Sequence, residues 1–114
     1  IVDVATVQNR YNVGHRDDED VLAACEEKGV GFIPWGPMYA VDDDDAGEVL
    51  AEVAERRDAT PQQVSLAWLL DHSDATLPIP GTSSVEHLES NLAAADLTLT
   101  AEDLTALDAV DPEE

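Results

Sequence analysis

The stretch LPIPGTSSVEHLESN, from Leu77 to Asn91, joins a short apolar run to a helical pattern through one glycine turn. The run ends at Gly81 and is followed by three hydroxyl residues. Apolar residues then recur at the spacing of one helix face: Val85, Leu88, Leu92 and Ala95. Ser83 with Glu86 matches a capping box, which predicts that the helix begins near Ser83.

A strand end, a glycine turn, hydroxyls and a helix N-terminus together can bind an anion. The first N–H groups of a helix have no partner within the helix, and the helix dipole places partial positive charge there. The alternative is that Ser83 and Ser84 only cap the helix, as most such residues do. Local chemistry leaves both interpretations open.

The composition disfavours nucleic acid and anionic membranes as partners. The 114 residues include 26 acidic side chains and five Lys or Arg, for a formal net charge of −21. A hydrophobic content of 44% nevertheless indicates a folded chain. We interpret the surface as one adapted to concentrated salt, where charge repulsion is screened within a few ångströms. The single cysteine excludes an internal disulfide.

The length permits one domain, and we expect residues 1–114 to form a single partial domain. Ile1 lies in or beside an apolar run with no initiator Met before it, which suggests a piece of a longer polypeptide. The sequence shows neither a signal peptide nor an apolar run of membrane-spanning length, so we expect a cytoplasmic location.

Strands alternate with helices along the chain, which predicts an α/β fold with a parallel sheet. The predicted elements are a strand at 1–7, a helix from Asp17 or Asp18 to about Lys28, a strand at 30–35, a helix at 46–57, a helix capped by Thr60, a strand at 76–79, a helix from about Ser83, and a last helix capped by Thr100 and closed by Pro112. Polar clusters follow the strands at Gln8 to Asn12, Trp35 to Met38 and Gly81 to Ser84. All three are predicted to meet at the carboxyl edge of the sheet, where α/β folds bind ligands.

Several other residues have simple structural interpretations. The run Asp42 to Asp45 lacks the spacing of a calcium loop and is predicted to be a solvated loop that caps the next helix. Cys25 and Trp68 fall on apolar helix faces and are predicted to be core residues. His15 and His72 are predicted to lie on the surface.

Three segments in register resemble the C-terminal part of an aldo-keto reductase. They are GFIPWGPM at 31–38, TPQQVSLAWLL at 60–70 and the stretch from Leu77 to Asn91. The resemblance implies a partial (β/α)8 TIM barrel, formed by the last three strand–helix units and a C-terminal helix. It also implies reduction of aldehydes and ketones, with NADPH as the cofactor and NADH as the alternative.

The resemblance assigns the nicotinamide half of the cofactor to the first two strand ends. Gln8 matches the glutamine that bonds the carboxamide, and Trp35 matches the aromatic residue that stacks on the ring. The turn from Gly36 to Met38 matches backbone that passes the pyrophosphate. A role for Trp35 in the core alone is the alternative.

The adenosine half is assigned to the third strand end. Thr82, Ser83 and Ser84 match the segment near the 2′-phosphate, and Asn91 matches the residue that binds the adenine edge. Ser90 stands where the family often has Glu. Some members carry a Lys where this chain has Gly81 and an Arg where it has His87. These two replacements leave the preference between NADPH and NADH open.

The family's catalytic Asp, Tyr, Lys and His have no match here, and neither Tyr11 nor Tyr39 stands in their context. We therefore expect the 114-residue chain alone to be inactive and to need the rest of an enzyme that acts on a small carbonyl substrate. The alternatives are a non-catalytic remnant or a nucleotide-binding or interaction module, and, third, an acidic cation-binding domain. Because a half-barrel leaves sheet edges open, self-association is also expected.

Overall fold

The structure, a computed structural model, describes residues 4–110 and confirms the alternation of strands and helices predicted for an α/β fold. The elements in chain order are β1 (Thr6–Arg10), α1 (Glu19–Lys28), β2 (Gly31–Trp35), a 3₁₀ helix (Tyr39–Asp42), α2 (Asp44–Arg57), α3 (Pro61–His72), α4 (Val85–Ala93), a second 3₁₀ helix (Ala94–Asp96) and α5 (Ala101–Asp108). In this range no helix is both long and apolar enough to cross a bilayer.

The sheet contains two parallel strands, with Thr6 opposite Gly31 and Arg10 opposite Trp35. The predicted third strand at 76–79 is wrong, because the segment makes only an isolated parallel bridge to β2. Phe32 N–H donates to the Ala75 carbonyl, and the Phe32 carbonyl accepts from Leu77 N–H, each at 2.8 Å. Pro78 and Pro80 follow at once, and a proline has no N–H to extend the ladder.

The first strand begins later than predicted. Ile1 to Asp3 lie outside the described residues, and β1 starts at Thr6 and continues through Gln8 to Arg10. The polar residues from Gln8 to Arg10 are therefore part of the strand and do not follow it. Pairing with β2 fixes these limits, since each of the five β1 residues has a partner between Gly31 and Trp35.

One face of the sheet lies against the helices and forms the core. Phe32 is fully buried there, and its ring meets Tyr11 edge-on at 5.7 Å. Tyr11 in turn stacks on Trp68 of α3, with ring centroids 6.0 Å apart. The predictions that Trp68 and Cys25 are core residues are confirmed, at 0% and 4% exposure.

The other face of the sheet is open, and we call it the open sheet face. It carries Gln8 of β1 and Ile33 and Trp35 of β2. Leu77, which lies against Gly31, and Ile79, which lines a cavity with Trp35, lie beside them. Trp35, Leu77 and Ile79 are between 40% and 52% exposed, which is high for large apolar side chains.

The helix that follows Gly81 begins one residue later than its predicted cap. Ser84, not Ser83, is the N-cap of α4, and its Oγ accepts from His87 N–H at 3.3 Å. Thr82 Oγ1 accepts from Ser84 N–H at 3.0 Å and holds the residue in this position. The predicted apolar face of α4 does not face the core: Val85 and Leu92 are 71% and 66% exposed.

Most other helix ends follow the sequence signals. Thr60 and Thr100 both form complete capping boxes, and Gly29 ends α1 with a φ of 68°. Asp43 occupies the N-cap position of α2 as the acidic run predicted, although its side chain makes no capping hydrogen bond. The rest of the run is not a loop, because Asp42 belongs to the first 3₁₀ helix and Asp44 and Asp45 begin α2. Pro112, the predicted end of the last helix, lies outside the described residues.

Arg16 fastens the loop after β1 to the end of α5. Its guanidinium donates to the carbonyls of Leu107, Asp108 and Val110 at 2.9 to 3.2 Å, and its Nε donates to the Val13 carbonyl at 2.9 Å. The same group lies 5.2 Å from the centre of the Trp68 ring, a distance suited to a cation–π contact.

Candidate functional site

Two adjoining cavities lie at the carboxyl end of β2, and we call them together the groove. The first, of about 510 Å³, extends from Trp35 past the turn at Gly36 to Ile79. The second, of about 340 Å³, extends from Thr60 to His87 and Asn91 at the start of α4. Both are lined by Met38, Gln62 and Gly81, so the groove connects the end of β2 to α4.

The groove brings together most of the site residues predicted from the sequence: Trp35, Gly36, Met38, Gly81, Thr82, His87, Ser90 and Asn91. Gln8, Ser83 and Ser84 are not among the described residues that line its two cavities. Gln8 lies on the open sheet face, opposite Ile33, whereas Ser83 is exposed beside the start of α4. The second and third polar clusters therefore meet at the groove, whereas Gln8 of the first cluster does not line it.

The aromatic end of the groove is exposed to solvent. Trp35 is 40% exposed and Tyr39 is 58% exposed, and their rings meet at 79° with centroids 6.5 Å apart. Both side chains line the groove, as the ligand-facing interpretation of Trp35 requires.

The turn at the middle of the groove is held in one conformation. Gly36 has a φ of 67°, and a Cβ there would lie 2.8 Å from the Tyr39 ring, so the position requires glycine. Asn12 Nδ2 donates to the Gly36 carbonyl at 2.9 Å, and Ser65 Oγ donates to the Pro37 carbonyl at 2.6 Å.

The far end of the groove combines hydroxyls with a helix N-terminus. Thr82 Oγ1 accepts from Ser84 N–H at 3.0 Å and donates to the Ser84 carbonyl at 3.4 Å, whereas Ser84 Oγ accepts from His87 N–H at 3.3 Å and keeps its hydroxyl hydrogen available as a donor beside the groove. A Cβ at Gly81 would meet no atom within 4 Å, so the junction of the two cavities is open. Within residues 4–110 no three His, Cys, Asp or Glu side chains are grouped to hold a metal ion.

Sequence reasoning missed Gln62, which lines both cavities. It precedes the Gln63 of the Thr60 capping box, and that strong helix signal gave no reason to assign it a second role. Gln63 itself donates to the Ser90 carbonyl at 2.9 Å and so ties α3 to α4.

The prediction for His72 is wrong, because its ring packs on Trp68 at 4.5 Å and is only partly exposed. His72 Nε2 lies 2.9 Å from both the Tyr11 hydroxyl and Glu19 Oε1. Tyr11 also donates to the Glu19 carboxylate. Burial, together with this carboxylate, raises the pKa of the Tyr11 phenol, which therefore keeps its proton.

A family model described as "Aldo/keto reductase family" matches residues 1–112. The chain belongs to this family. It is 42% identical over 113 residues to the pyridoxine 4-dehydrogenase of Escherichia coli, covering 99% of this chain and 39% of that protein. It is 43% identical over 105 residues to an uncharacterized oxidoreductase of Schizosaccharomyces pombe, covering 92% of this chain and 34% of that protein. The chain thus spans between a third and two-fifths of the length of these relatives.

The fold matches solved aldo-keto reductases, which are members of a TIM-barrel family. An aldo/keto reductase from Klebsiella pneumoniae, in complex with NADP and acetate, superposes with a TM-score of 0.84 at 30% identity. The superposition covers 96% of this chain and 41% of that one. The two parallel strands and five helices of residues 4–110 are consistent with part of such a barrel.

Proposed function

We propose that this chain is the cofactor-binding portion of an NAD(P)H-dependent aldo-keto reductase that reduces aldehydes or ketones to alcohols. The groove between Trp35 and Asn91 is the observation that carries the proposal. It presents an aromatic ring, a constrained backbone turn and a hydroxyl-bearing helix start in the order of nicotinamide, pyrophosphate and adenosine phosphate. The Klebsiella relative, whose structure contains NADP, supports the same assignment.

The residues of the groove fit a dinucleotide chemically. The exposed indole of Trp35 can cover one face of the nicotinamide, and Gln8 can bond its carboxamide from the open sheet face. When bound, the cofactor supplies a hydride to the carbonyl carbon of the substrate. The work of this chain is to position and orient the cofactor.

The adenosine phosphate is expected to bind at Thr82, Ser83, Ser84 and the first N–H groups of α4, with Asn91 and Ser90 near the adenine. His87 is the cationic candidate, when protonated, because Gly81 replaces the lysine of some relatives. Charge-assisted bonds to phosphate are about twice as strong as neutral ones. We therefore propose NADPH as the cofactor, with a smaller preference over NADH than those relatives have.

We further propose that the chain corresponds to the last three strand–helix units and the C-terminal helix of the barrel, with the third strand reduced here to the bridge at Thr76, and that alone it is inactive. No residue here matches the family's catalytic Asp, Tyr, Lys and His. Tyr11 is no substitute, since burial and the Glu19 carboxylate raise its phenol pKa and its hydroxyl is already hydrogen-bonded. Carbonyl-dependent oxidation of NADPH by the purified chain would contradict this part of the proposal.

The open sheet face and the exposed side of α4 also support self-association of the chain. Leu77 and Ile79 are 52% and 48% exposed, and Val85 and Leu92 are 71% and 66% exposed, so both surfaces carry exposed large apolar side chains. The charge of −21 opposes association in dilute buffer, so we propose that it occurs in the concentrated salt of a halophilic cytoplasm. Analytical ultracentrifugation as a function of salt tests it, and a monomer throughout would contradict it.

The decisive experiment titrates NADPH and NADH into the folded chain in molar potassium chloride and follows tryptophan fluorescence. We expect quenching that saturates with NADPH, because Trp35 borders the groove. Trp35→Ala should abolish the saturable part. Trp68→Phe is the matched control. It removes the buried tryptophan, so Trp35 supplies all of the remaining tryptophan fluorescence and the cofactor should quench a larger fraction of it. A folded chain that binds neither dinucleotide would contradict the proposal.

A further inference from the structure

We propose that Asn12 and Ser65 are positioning residues that orient the turn from Gly36 to Met38 toward the pyrophosphate of the cofactor. The inference rests on the function proposed above and assigns a role to two side chains that do not line the groove. Both lie beneath the turn, at 1% and 0% exposure. They come from different parts of the chain, since Asn12 follows β1 and Ser65 lies in α3.

The two side chains fix two consecutive carbonyl groups. Asn12 Nδ2 donates to Gly36 O at 2.9 Å, and Ser65 Oγ donates to Pro37 O at 2.6 Å. The amide of Asn12 is itself oriented, because its Oδ1 accepts from Gly14 N–H at 2.9 Å. Both carbonyls of the turn are thereby directed into the protein, so their lone pairs are kept from facing an anion in the groove.

The same bonds determine where the donor of the turn points. The peptide between Pro37 and Met38 is trans, as are the peptide bonds throughout the described chain, so its N–H lies opposite its C=O. With the Pro37 carbonyl held by Ser65, Met38 N–H points away from α3. Within residues 4–110 no acceptor bonds to this N–H, and Met38 lines both cavities of the groove. Pro37 has no N–H, so Met38 supplies the backbone donor.

Burying two polar side chains beneath the turn has a desolvation cost that a turn needed only for packing would not require. A buried hydroxyl or amide must be hydrogen-bonded to offset its desolvation, whereas an apolar side chain of similar volume would fill the space without that requirement. Donors placed under successive carbonyls set the rotation of each peptide plane. Apolar contacts cannot do this, because they have no direction.

The test compares Asn12→Asp, Ser65→Ala, Ser65→Thr and Ser73→Ala in the full chain. Asn12→Asp keeps the acceptor for Gly14 N–H and loses the donor to Gly36. Ser65→Thr restores a hydroxyl. Ser73→Ala is the matched control, because it removes a buried hydroxyl that bonds Ala75 N–H away from the groove. Two ligands are titrated: NADP, and adenosine 2′-monophosphate, which has no pyrophosphate.

We expect Asn12→Asp and Ser65→Ala each to weaken NADP binding about tenfold, the equivalent of one lost hydrogen bond. Binding of adenosine 2′-monophosphate should be unchanged, and Ser65→Thr and Ser73→Ala should bind NADP within about threefold of the parent chain. Amide hydrogen exchange of Met38, measured by NMR without ligand, should accelerate in the first two variants alone.

Normal NADP binding by both variants would overturn the positioning role, as would an equal loss for the two ligands. A parent chain that binds neither ligand would instead contradict the proposed function. In that case Met38 exchange still decides the structural part: unchanged exchange in Asn12→Asp and Ser65→Ala overturns it. If Asn12→Asp fails to fold, Ser65→Ala and its threonine rescue carry the test.

Discussion

The two tryptophans lie on opposite sides of the sheet: Trp68 of α3 packs on the side that the helices cover, and Trp35 of β2 lies on the open side. Trp68 is fully buried, with Tyr11, His72 and the Arg16 guanidinium against its ring and its Nε1 donating to Asp108 at 2.9 Å. Trp35 is 40% exposed at the end of β2. We therefore expect the helix-covered face to determine stability and the open face to contribute to the proposed cofactor site. Variants that change stability without changing cofactor binding, or the reverse, test this difference between the two faces.

Trp68→Ala should have the largest effect on stability, lowering the free energy of unfolding by roughly 3–5 kcal/mol because it leaves a large core cavity. Trp35→Ala should change it by less than about 1 kcal/mol, since much of that ring is already in water. Urea unfolding followed by circular dichroism in molar salt measures both. Equal losses would contradict the division between the two faces.

Asp103→Asn should have the second-largest effect on stability, lowering the free energy of unfolding by roughly 1–3 kcal/mol, because the carboxylate is buried between two arginines. Arg56 Nη2 lies 2.9 Å from Oδ1, and Arg57 Nε lies 3.2 Å from Oδ2. Burial would raise the Asp103 pKa, but hydrogen bonds from Thr100 and Arg56 and the charge of Arg57 outweigh it and hold the pKa below its usual value.

The effect of Asp103→Asn should therefore depend on pH with a defined sign. A lowered folded-state pKa stabilises the chain above the unfolded value of about 4, and this stabilisation is lost as the pH falls through the folded value. The stability difference between parent and variant should be constant at neutral pH and shrink in acid. A difference that grew in acid would contradict the ion-pair explanation.

Tyr11→Phe should cost about 1–2 kcal/mol through the loss of hydrogen bonds to Glu19 and His72. Tyr39→Phe should cost less than about 0.5 kcal/mol, since surface changes away from special features are small. Both variants keep the aromatic ring, so the comparison measures the contribution of a hydroxyl in the core against that of a hydroxyl in the groove. Denaturant midpoints measure both, and a larger loss for Tyr39→Phe would reverse the assignment.

Tyr39→Phe also leaves Tyr11 as the single tyrosine, because the chain contains two. Its ultraviolet absorbance should then show no phenolate at pH about 10, where an unperturbed tyrosine is half ionised. The raised pKa means that the Tyr11 phenol stabilises the fold below pH about 10 and that this contribution is lost as the pH rises further. A half-ionised phenol at that pH in the folded chain would contradict the prediction.

Ser84→Ala should lower the free energy of unfolding by only about 0.5–1 kcal/mol, because it removes the side-chain cap of α4, a helix with little burial. Ser83→Ala is the matched control and should be neutral, since the cap belongs to its neighbour. Thermal unfolding of the two variants checks this. A larger loss for Ser83→Ala would support the cap position predicted from the sequence.

Features that depend on local chemistry were predictable from the sequence. The capping boxes at Thr60 and Thr100 and the glycine end of α1 each need only residues within one turn. The core position of Trp68 followed from a helix that is apolar nearly all round. Such signals also predicted the order of the described strands and helices apart from the third strand, and with it the α/β class.

Features that depend on distant partners were not predictable in the same way. The limits of β1 are set by its pairing with β2, and the segment after Thr76 has the apolar composition of a strand but lacks N–H groups at two prolines. Asn12 and Ser65 contact the turn across 24 and 28 residues of chain, and no spacing in the sequence reveals such contacts. Most site residues named in advance came from the resemblance, and Gln62 was missed because the neighbouring capping box gave no reason to assign it a second role.

The guanidinium of Arg16 has a consequence for the order of folding. Its bonds to the end of α5 join residues 91 to 94 positions apart, so they form only after a loop spanning most of the chain has closed. Contacts made after the transition state govern how fast a protein unfolds and leave its folding rate almost unchanged. We therefore expect the Arg16 hydrogen bonds to slow unfolding and so to lengthen the lifetime of the folded state.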